Sequence, residues 1–214
     1  MLQYLTGIFV GLLLLSNVIA VKLIAIGDWV VLPAAVIIYV FTYPILDVIT
    51  ETYGKKYARR TVFAGLIGQV FALVFIWIAI RFPAAPFYEN QQAFELIFAG
   101  SFRVTLASLI AYAVSQNIDV IIFDRLKKRH GTKKLWLRNN ASTMVSQFAD
   151  TAIFILIAFT GTMPIQALFA MIVSQYIFKF IVAILDTPIV YGLVYVVRNI
   201  RKKEDKQDIA MYNA

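Results

Sequence analysis

Long apolar segments separated by short polar breaks are the main pattern of this chain. Each segment is close to the roughly 20 residues that an α-helix needs to cross a bilayer. The six segments lie near residues 4–26, 30–52, 60–82, 101–123, 138–160 and 166–198. The last is too long for one simple span, so we expect a tilted helix, or a short outer helix followed by a span, with a kink near Pro188. The pattern predicts an all-α integral membrane protein with a bundle of about six transmembrane helices.

Basic residues gather in three of the polar breaks. They follow the second and fourth segments and occupy the C-terminal tail: Lys55, Lys56, Arg59 and Arg60; Arg125, Lys127, Lys128, Arg129, Lys133, Lys134 and Arg138; Arg198, Arg201, Lys202, Lys203 and Lys206. Because Lys and Arg are enriched in cytoplasmic loops, both termini are expected in the cytoplasm. Residues 1–26 lack a basic start and a small-residue cleavage site, so we expect a retained span there instead of a signal peptide.

The composition supports the bilayer as the natural solvent. Hydrophobic residues make up 61% and charged residues 15% of the chain, against roughly 45–50% and 25% in soluble domains. The net charge of +8 is concentrated in the breaks, which indicates membrane topology and argues against nucleic-acid binding. We expect one transmembrane domain over residues 1–200 and a basic, polar cytoplasmic tail over residues 201–214.

Several kinds of chemistry lack their residues. The chain has no Cys, and its single His130 lies in a basic break, so a metal site is not expected. No Walker A, GxSxG or HExxH motif is present. We therefore expect no cofactor and no enzymatic activity.

A weak internal repeat relates two pairs of segments. Asp47-Val48-Ile49 followed by Lys55-Lys56 recurs as Asp119-Val120-Ile121 followed by Lys127-Lys128. Segments two and three would then match segments four and five as a parallel repeat. Chance similarity is the alternative.

Acids and amides inside the apolar segments are the candidates for a solute site. An Asp at the centre of a membrane helix costs roughly 2.5–3.5 kcal/mol, so such residues face a polar interior or a cavity. They form stripes at helical spacing: Asp47 and Glu51; Tyr112, Gln116 and Asp119, with Asn117 beside them; Asn139, Ser142, Thr143, Ser146, Gln147 and Asp150; Gln175, Lys179 and Asp186; Ser16, Asn17 and Lys22. We expect the acids to converge on a hydrated solute pathway.

Each of these residues also has a plainer interpretation. Ser142 and Ser146 suit interhelical hydrogen bonds. Asp119 could pair with Arg125 or Lys128, and Asp47 with Arg59 or Arg60. Glu51 could be a gate residue. Gly7 and Gly11 form a GxxxG pair, which favours helix packing, with homodimerisation as the more speculative alternative.

The order and spacing of these motifs resemble a known family of transporters. The matching motifs are Ser16-Asn17 with Lys22; Asp47-xx-Thr50-Glu51-xx-Gly54; Ala107-Ser108-xx-Ala111-Tyr112-xx-Ser115-Gln116-xx-Asp119; Ser142-Thr143-xxx-Gln147-xx-Asp150-Thr151; and Tyr176-xx-Lys179 with Thr187-Pro188. They are similar to the queuosine precursor transporter family, also called the vitamin uptake transporter family. The resemblance implies a multi-pass inner-membrane protein that imports 7-cyano-7-deazaguanine and 7-aminomethyl-7-deazaguanine for tRNA modification.

Such purine-like solutes suit the polar residues of the spans. A guanine-like edge offers two adjacent N–H donors to a carboxylate and a carbonyl to an amide. The predicted contacts are Asp47, Glu51, Gln147 and Asp150, then Asn17, Asn117, Asp119 and Lys179, with Tyr43 and Tyr112 stacking on the ring.

Three other functions compete with this prediction. One is a solute-binding membrane subunit that borrows an ATPase module, as in energy-coupling-factor vitamin transporters. The others are an intramembrane enzyme acting on a lipid-linked substrate, which lacks a metal or nucleophile motif, and a structural scaffold, which the density of acids disfavours.

Overall fold

The structure, a computed structural model, describes residues 1–27, 30–130, 135–185 and 187–212. Side chains are described for residues 1–27, 30–118, 121–122, 125–126, 128, 141–182 and 188–200. The elements in chain order are α1 (Leu2–Ile19), β1 (Leu23–Ile26), β2 (Val30–Pro33), α2 (Val36–Tyr53), α3 (Lys55–Arg81), α4 (Gln91–His130), α5 (Leu135–Phe159), α6 (Ile165–Leu185) and α7 (Thr187–Tyr212).

Six of these helices are long and apolar enough to cross a membrane, which confirms the predicted fold class. The spanning segments are Leu2–Ile19, Val36–Tyr53, Lys55–Arg81, Gln91–Ile118, Ala141–Phe159 and Ile165–Val182. A shorter apolar segment, Pro188–Ile200, follows them.

The boundaries of the first two spans differ from those predicted. Residues 23–26 and 30–33 form two antiparallel strands in which Ile26 pairs with Val30 and Leu23 with Pro33. Apolarity alone does not distinguish a short strand from the end of a membrane helix, so both strands were assigned to spans. Gly27, with φ of +64°, takes the left-handed conformation that a tight turn requires.

Two helices begin earlier than the apolar pattern indicates. α3 starts at Lys55, so Gly54, with φ of +92°, is the whole connection between α2 and α3. The cations Lys55, Lys56, Arg59 and Arg60 therefore lie in the first two turns of α3 and not in a loop. α4 starts at Gln91, ten residues before residue 101, where the fourth span was predicted to begin. Residues 91–100 are thus helical as well.

The sixth predicted segment forms two helices. α6 ends at Leu185 and α7 begins at Thr187. Pro188 is the second residue of α7, where its missing N–H and fixed φ are tolerated. The expected kink near Pro188 stays a prediction, because residue 186 lies outside the described residues. α7 continues through most of the predicted tail, to Tyr212.

The described chain divides into two compact units. The first comprises Met1–Ser16, Ala35–Ala72 and Lys179–Ala214. In it α1 meets α3, where the hydroxyls of Thr6 and Thr61 lie 2.9 Å apart. α2 meets α7 through a buried cluster of Val48, Val194 and Val197.

The second unit comprises Asn17–Ala34 and Leu73–Phe178. Its centre is the antiparallel pair of α4 and α5. Gly161, with φ of +84°, turns the chain from α5 into α6. The core side chains include Ile155, Leu168 and Met171, all at most 2% exposed.

Candidate functional site

A hydroxyl and a carboxylate meet between the two central helices of the second unit. Ser115 is buried on α4, and its Oγ lies 3.4 Å from Oδ1 of Asp150 on α5 and 3.1 Å from the carbonyl of Tyr112 on its own helix, so its single proton is shared between these two acceptors. Asp150 lies at the midpoint of the Ala141–Phe159 span. At this depth an ionised acid is costly unless its surroundings are polar. The contact provides part of those surroundings.

Other buried hydroxyls in this unit bond to their own helices. Thr105 donates to the carbonyl of Ser101, Ser146 to that of Thr143, and Thr151 to that of Gln147. Each of these bonds to the preceding turn satisfies the hydroxyl proton of its Ser or Thr. These hydroxyls therefore line the interior at little energetic cost.

Buried carboxamides are in a different situation. Asn17, Gln69 and Gln175 are 5%, 1% and 1% exposed. Among the described residues, no hydrogen-bond partner is found for Nδ2 of Asn17, Oε1 of Gln69 or Oε1 of Gln175. A buried polar atom left unpaired costs about 1–3 kcal/mol. A transported solute could satisfy such atoms.

The second unit also holds most of the predicted contacts. Asn17 is buried, whereas Tyr112 and Asp150 are half-buried. Gln147 and Asn117 are exposed, and Nδ2 of Asn117 donates to the carbonyl of Ala113 at 2.7 Å. That bond engages Asn117 with its own helix. The side chain of Asp119 lies outside the described residues.

The first unit holds the remaining predicted contacts. Asp47 and Glu51 are exposed on α2, and Lys179 is half-buried on α6. Tyr43 is half-buried and stacks on Tyr39 with ring centroids 5.8 Å apart. The stacking fixes the Tyr43 ring within α2.

Glu51 is joined to the C-terminal helix. Nη2 of Arg198 lies 3.8 Å from Oε2 of Glu51 and donates to the Glu51 carbonyl at 3.2 Å. Both side chains are more than half exposed, so screening keeps the pair weak. The partner of Glu51 on α7 was not predicted, because it lies 147 residues away along the chain.

No metal site appears in the part of the chain that the structure describes. In those residues, no three His, Cys, Asp or Glu side chains lie close enough to share an ion. The polar groups instead suit hydrogen bonds to an organic solute.

Comparison with known proteins identifies the family. The family described as "Putative vitamin uptake transporter" matches residues 33–193. The chain belongs to this family. It is accordingly a multi-pass transporter of the cytoplasmic membrane. The match includes α2 to α6 and every predicted contact except Asn17.

Curated relatives carry more specific names. A "Probable queuosine precursor transporter" of Bacillus subtilis is 35% identical over 72% of the chain and 67% of its own length. A protein of the same name from Haemophilus influenzae is 31% identical over 56% of the chain and 48% of its length. The "Queuosine precursor transporter" of Escherichia coli is 30% identical over 56% and 53%. The chain thus matches about half the length of the latter two. No solved structure matches it significantly.

Two buried polar residues of the second unit, Ser115 and Gln175, were not among the predicted contacts. Ser115 has a weak sequence signal, because a single Ser in a membrane helix is common. Gln175 has a stronger one, since it precedes Lys179 by four residues and so shares its helix face. Gln175 is buried whereas Gln166 of the same helix is exposed, and this difference can be seen only in the folded structure.

Proposed function

We propose that this protein imports queuosine precursors, namely 7-cyano-7-deazaguanine and 7-aminomethyl-7-deazaguanine, for the modification of tRNA. The observation that carries the proposal is the contact between Ser115 and Asp150 in the middle of a membrane-spanning unit. Family membership and the names of the relatives give the class of solute. An acid at this depth is the residue type that such a solute requires.

The chemistry of a deazaguanine matches the second unit. Its two adjacent N–H donors can meet both oxygens of one carboxylate, and bidentate pairs are the stronger kind of hydrogen bond. We assign this role to Asp150. Gln147 lies three residues earlier on α5, where its amide can serve the ring carbonyl. Tyr112, half-buried on α4, supplies an aromatic face for the ring.

The other predicted contacts have secondary roles in the proposal. Asn17, Asn117, Asp119 and Lys179 remain candidate contacts, and Tyr43 a second aromatic candidate. Asp47 remains a predicted contact of the solute. The link from Glu51 to Arg198 favours a gate at the end of α2 over a direct contact for that acid.

The protein is proposed to act as a permease and not as an enzyme. Membership of a transporter family supports this, and the acids are accounted for by solute binding. We expect transport without an added ATPase module. A homodimer through the Gly7 and Gly11 face of α1 stays a prediction, which the oligomeric state in mild detergent tests.

Restoration of queuosine in tRNA tests the proposed function in cells. The host is a bacterium that cannot make the deazaguanine core, supplied with 7-cyano-7-deazaguanine in the medium. Expression of the chain should restore queuosine in its tRNA. Asp150→Asn, which keeps the shape and removes the charge, should abolish the restoration. The matched control is Glu89→Gln, an exposed acid of the α3–α4 connection. If the tRNA stays without queuosine although the wild-type protein is present in the membrane, 7-cyano-7-deazaguanine is not its substrate.

A further inference from the structure

The carboxamide of Gln175 is buried near the middle of the Ile165–Val182 span. It is 1% exposed, and Oε1 has no hydrogen-bond partner among the described residues. The hydroxyls of Thr105, Ser146 and Thr151 bond to their own helices. Oε1 of Gln175 accepts hydrogen bonds, so it cannot be satisfied by a backbone carbonyl of its own helix as those donor hydroxyls are. Its carbonyl is thus an acceptor that the fold itself leaves open.

The position of Gln175 is defined by its neighbour in the chain. The Tyr176 hydroxyl donates to the carbonyl of Met144 at 3.3 Å, and its ring packs edge-on against Phe148 with centroids 5.6 Å apart. α6 therefore meets α5 over residues 144–148. Asp150 follows Phe148 by two residues, about 3 Å along α5, so Gln175, the neighbour of Tyr176, lies near the level of Asp150.

Polar groups on three helices of the second unit thus share one level. Ser115 on α4 contacts Asp150 on α5, and Gln175 on α6 comes to the same depth. Gln175 is also within two residues of the midpoint of its span, Ile165–Val182. An unpaired amide in the middle of a span destabilises the empty protein. Retention of such a group is expected where a ligand pairs with it.

We propose that Gln175 is a solute-binding residue whose Oε1 accepts a hydrogen bond from a ring or exocyclic N–H of the deazaguanine. The inference rests on the proposed function and adds a specificity residue to it. Asp150 accepts from one part of the donor edge, and Gln175 accepts from a further donor. A solute without that donor would leave Oε1 unpaired and bind more weakly.

The test compares Gln175→Met with wild type in purified protein. Met is similar in length and apolar, so it removes the acceptor without a large cavity. Gln166→Met is the matched control, because Gln166 lies exposed on the same helix. Binding of 7-cyano-7-deazaguanine is measured by titration, and thermal unfolding is followed without ligand.

Two results are expected. Gln175→Met should weaken binding roughly tenfold to a hundredfold, with wild-type affinity in Gln166→Met. Without ligand, the melting temperature of Gln175→Met should equal or exceed that of wild type, because an unpaired buried carbonyl has been removed. A lower melting temperature than that of Gln166→Met would show that Gln175 bonds within the empty protein, and it would overturn the inference whether or not any ligand binds.

Ligand analogues separate a specific bond from a general loss of fit. Three analogues each lack one donor: the exocyclic amine, the ring N1–H or the pyrrole N–H. For one of the analogues, Gln175→Met should weaken binding by less than about threefold, since that analogue already lacks the donor that bonds to Oε1 of Gln175. Equal losses for all three would overturn the assignment of Oε1 to a donor. Absence of wild-type binding would count against the proposed function and the inference together, whereas wild-type binding with an unaffected Gln175→Met would overturn only the inference.

Discussion

Arg103 provides the sharpest test of how the second unit is held together. Arg103 lies within the Gln91–Ile118 span, nearer its start than its end. In the structure it is half-buried on α4, its Nε donates at 2.8 Å to the carbonyl of Ile157, and its Nη2 donates to that of Thr160. Both acceptors lie at the C-terminal end of α5, where carbonyls lack helical partners. Arg103 thus caps α5 from a neighbouring helix.

The strength of this cap follows from its two bonds. The partly buried bond to Ile157 contributes about 1.5–3 kcal/mol as a charge-assisted bond. The bond to Thr160 is exposed and adds about 0.5–1 kcal/mol. Ordering of the long side chain offsets part of this sum. We expect Arg103→Met to lower the free energy of unfolding by about 2–3 kcal/mol, which corresponds to a melting temperature about 4–12 °C lower in a chain of this size.

The measurement is thermal unfolding of the purified protein in detergent. Arg125→Met is the matched control, because Arg125 is an exposed arginine on the same helix, and its melting temperature should stay within about 2 °C of wild type. Arg103→Lys should lower the melting temperature by about half as much as Arg103→Met, since an ammonium cannot present the two-pronged geometry of a guanidinium. Equal melting temperatures for Arg103→Met and Arg125→Met would refute the cap.

Three further predictions concern other contacts. Gly65→Ala should have a lower melting temperature than Gly11→Ala, because a Cβ at Gly65 would lie 2.7 Å from Leu13 Cδ2 and force that side chain to shift, whereas one at Gly11 meets nothing within 4 Å; equal melting temperatures would contradict the packing of α1 on α3. In a double-mutant cycle, Glu51→Gln and Arg198→Gln should show a coupling free energy of unfolding below about 1 kcal/mol. Each variant should alter the uptake rate if the pair forms a gate, and unchanged uptake in both would show that the pair is not a gate. Ser115→Ala should reduce uptake severalfold and Asp150→Ala at least tenfold, and normal uptake by Asp150→Ala would show that the site lies elsewhere.

The overall membrane organisation could be predicted because it depends on composition at the length scale of a bilayer. Six apolar segments become six candidate spans. The strands over residues 23–33 could not be predicted in this manner. Their apolar residues suit a membrane helix equally well, and only the pairing of Ile26 with Val30 decides between them.

Part of the candidate site could be predicted from the sequence for a similar reason. An acid such as Asp150 in the middle of an apolar span is conspicuous, and its helical spacing identifies a face. Its partner Ser115 on another helix depends on how α4 and α5 pack, which no local pattern encodes. Likewise, the internal repeat stays a prediction: α4 continues past Asp119 to His130, whereas Gly54 ends α2 at the corresponding point.

Solute counterflow in proteoliposomes shows whether this chain alone transports 7-cyano-7-deazaguanine. Vesicles that contain only this purified chain are loaded with unlabelled 7-cyano-7-deazaguanine and diluted into a trace of labelled solute, so that exchange needs no ATP, ion gradient or second subunit. We expect transient accumulation of label above equilibrium in vesicles with the wild-type chain, and none with Asp150→Asn or in empty vesicles. Absence of accumulation by wild-type protein that is folded and inserted would contradict transport of this solute by the chain alone.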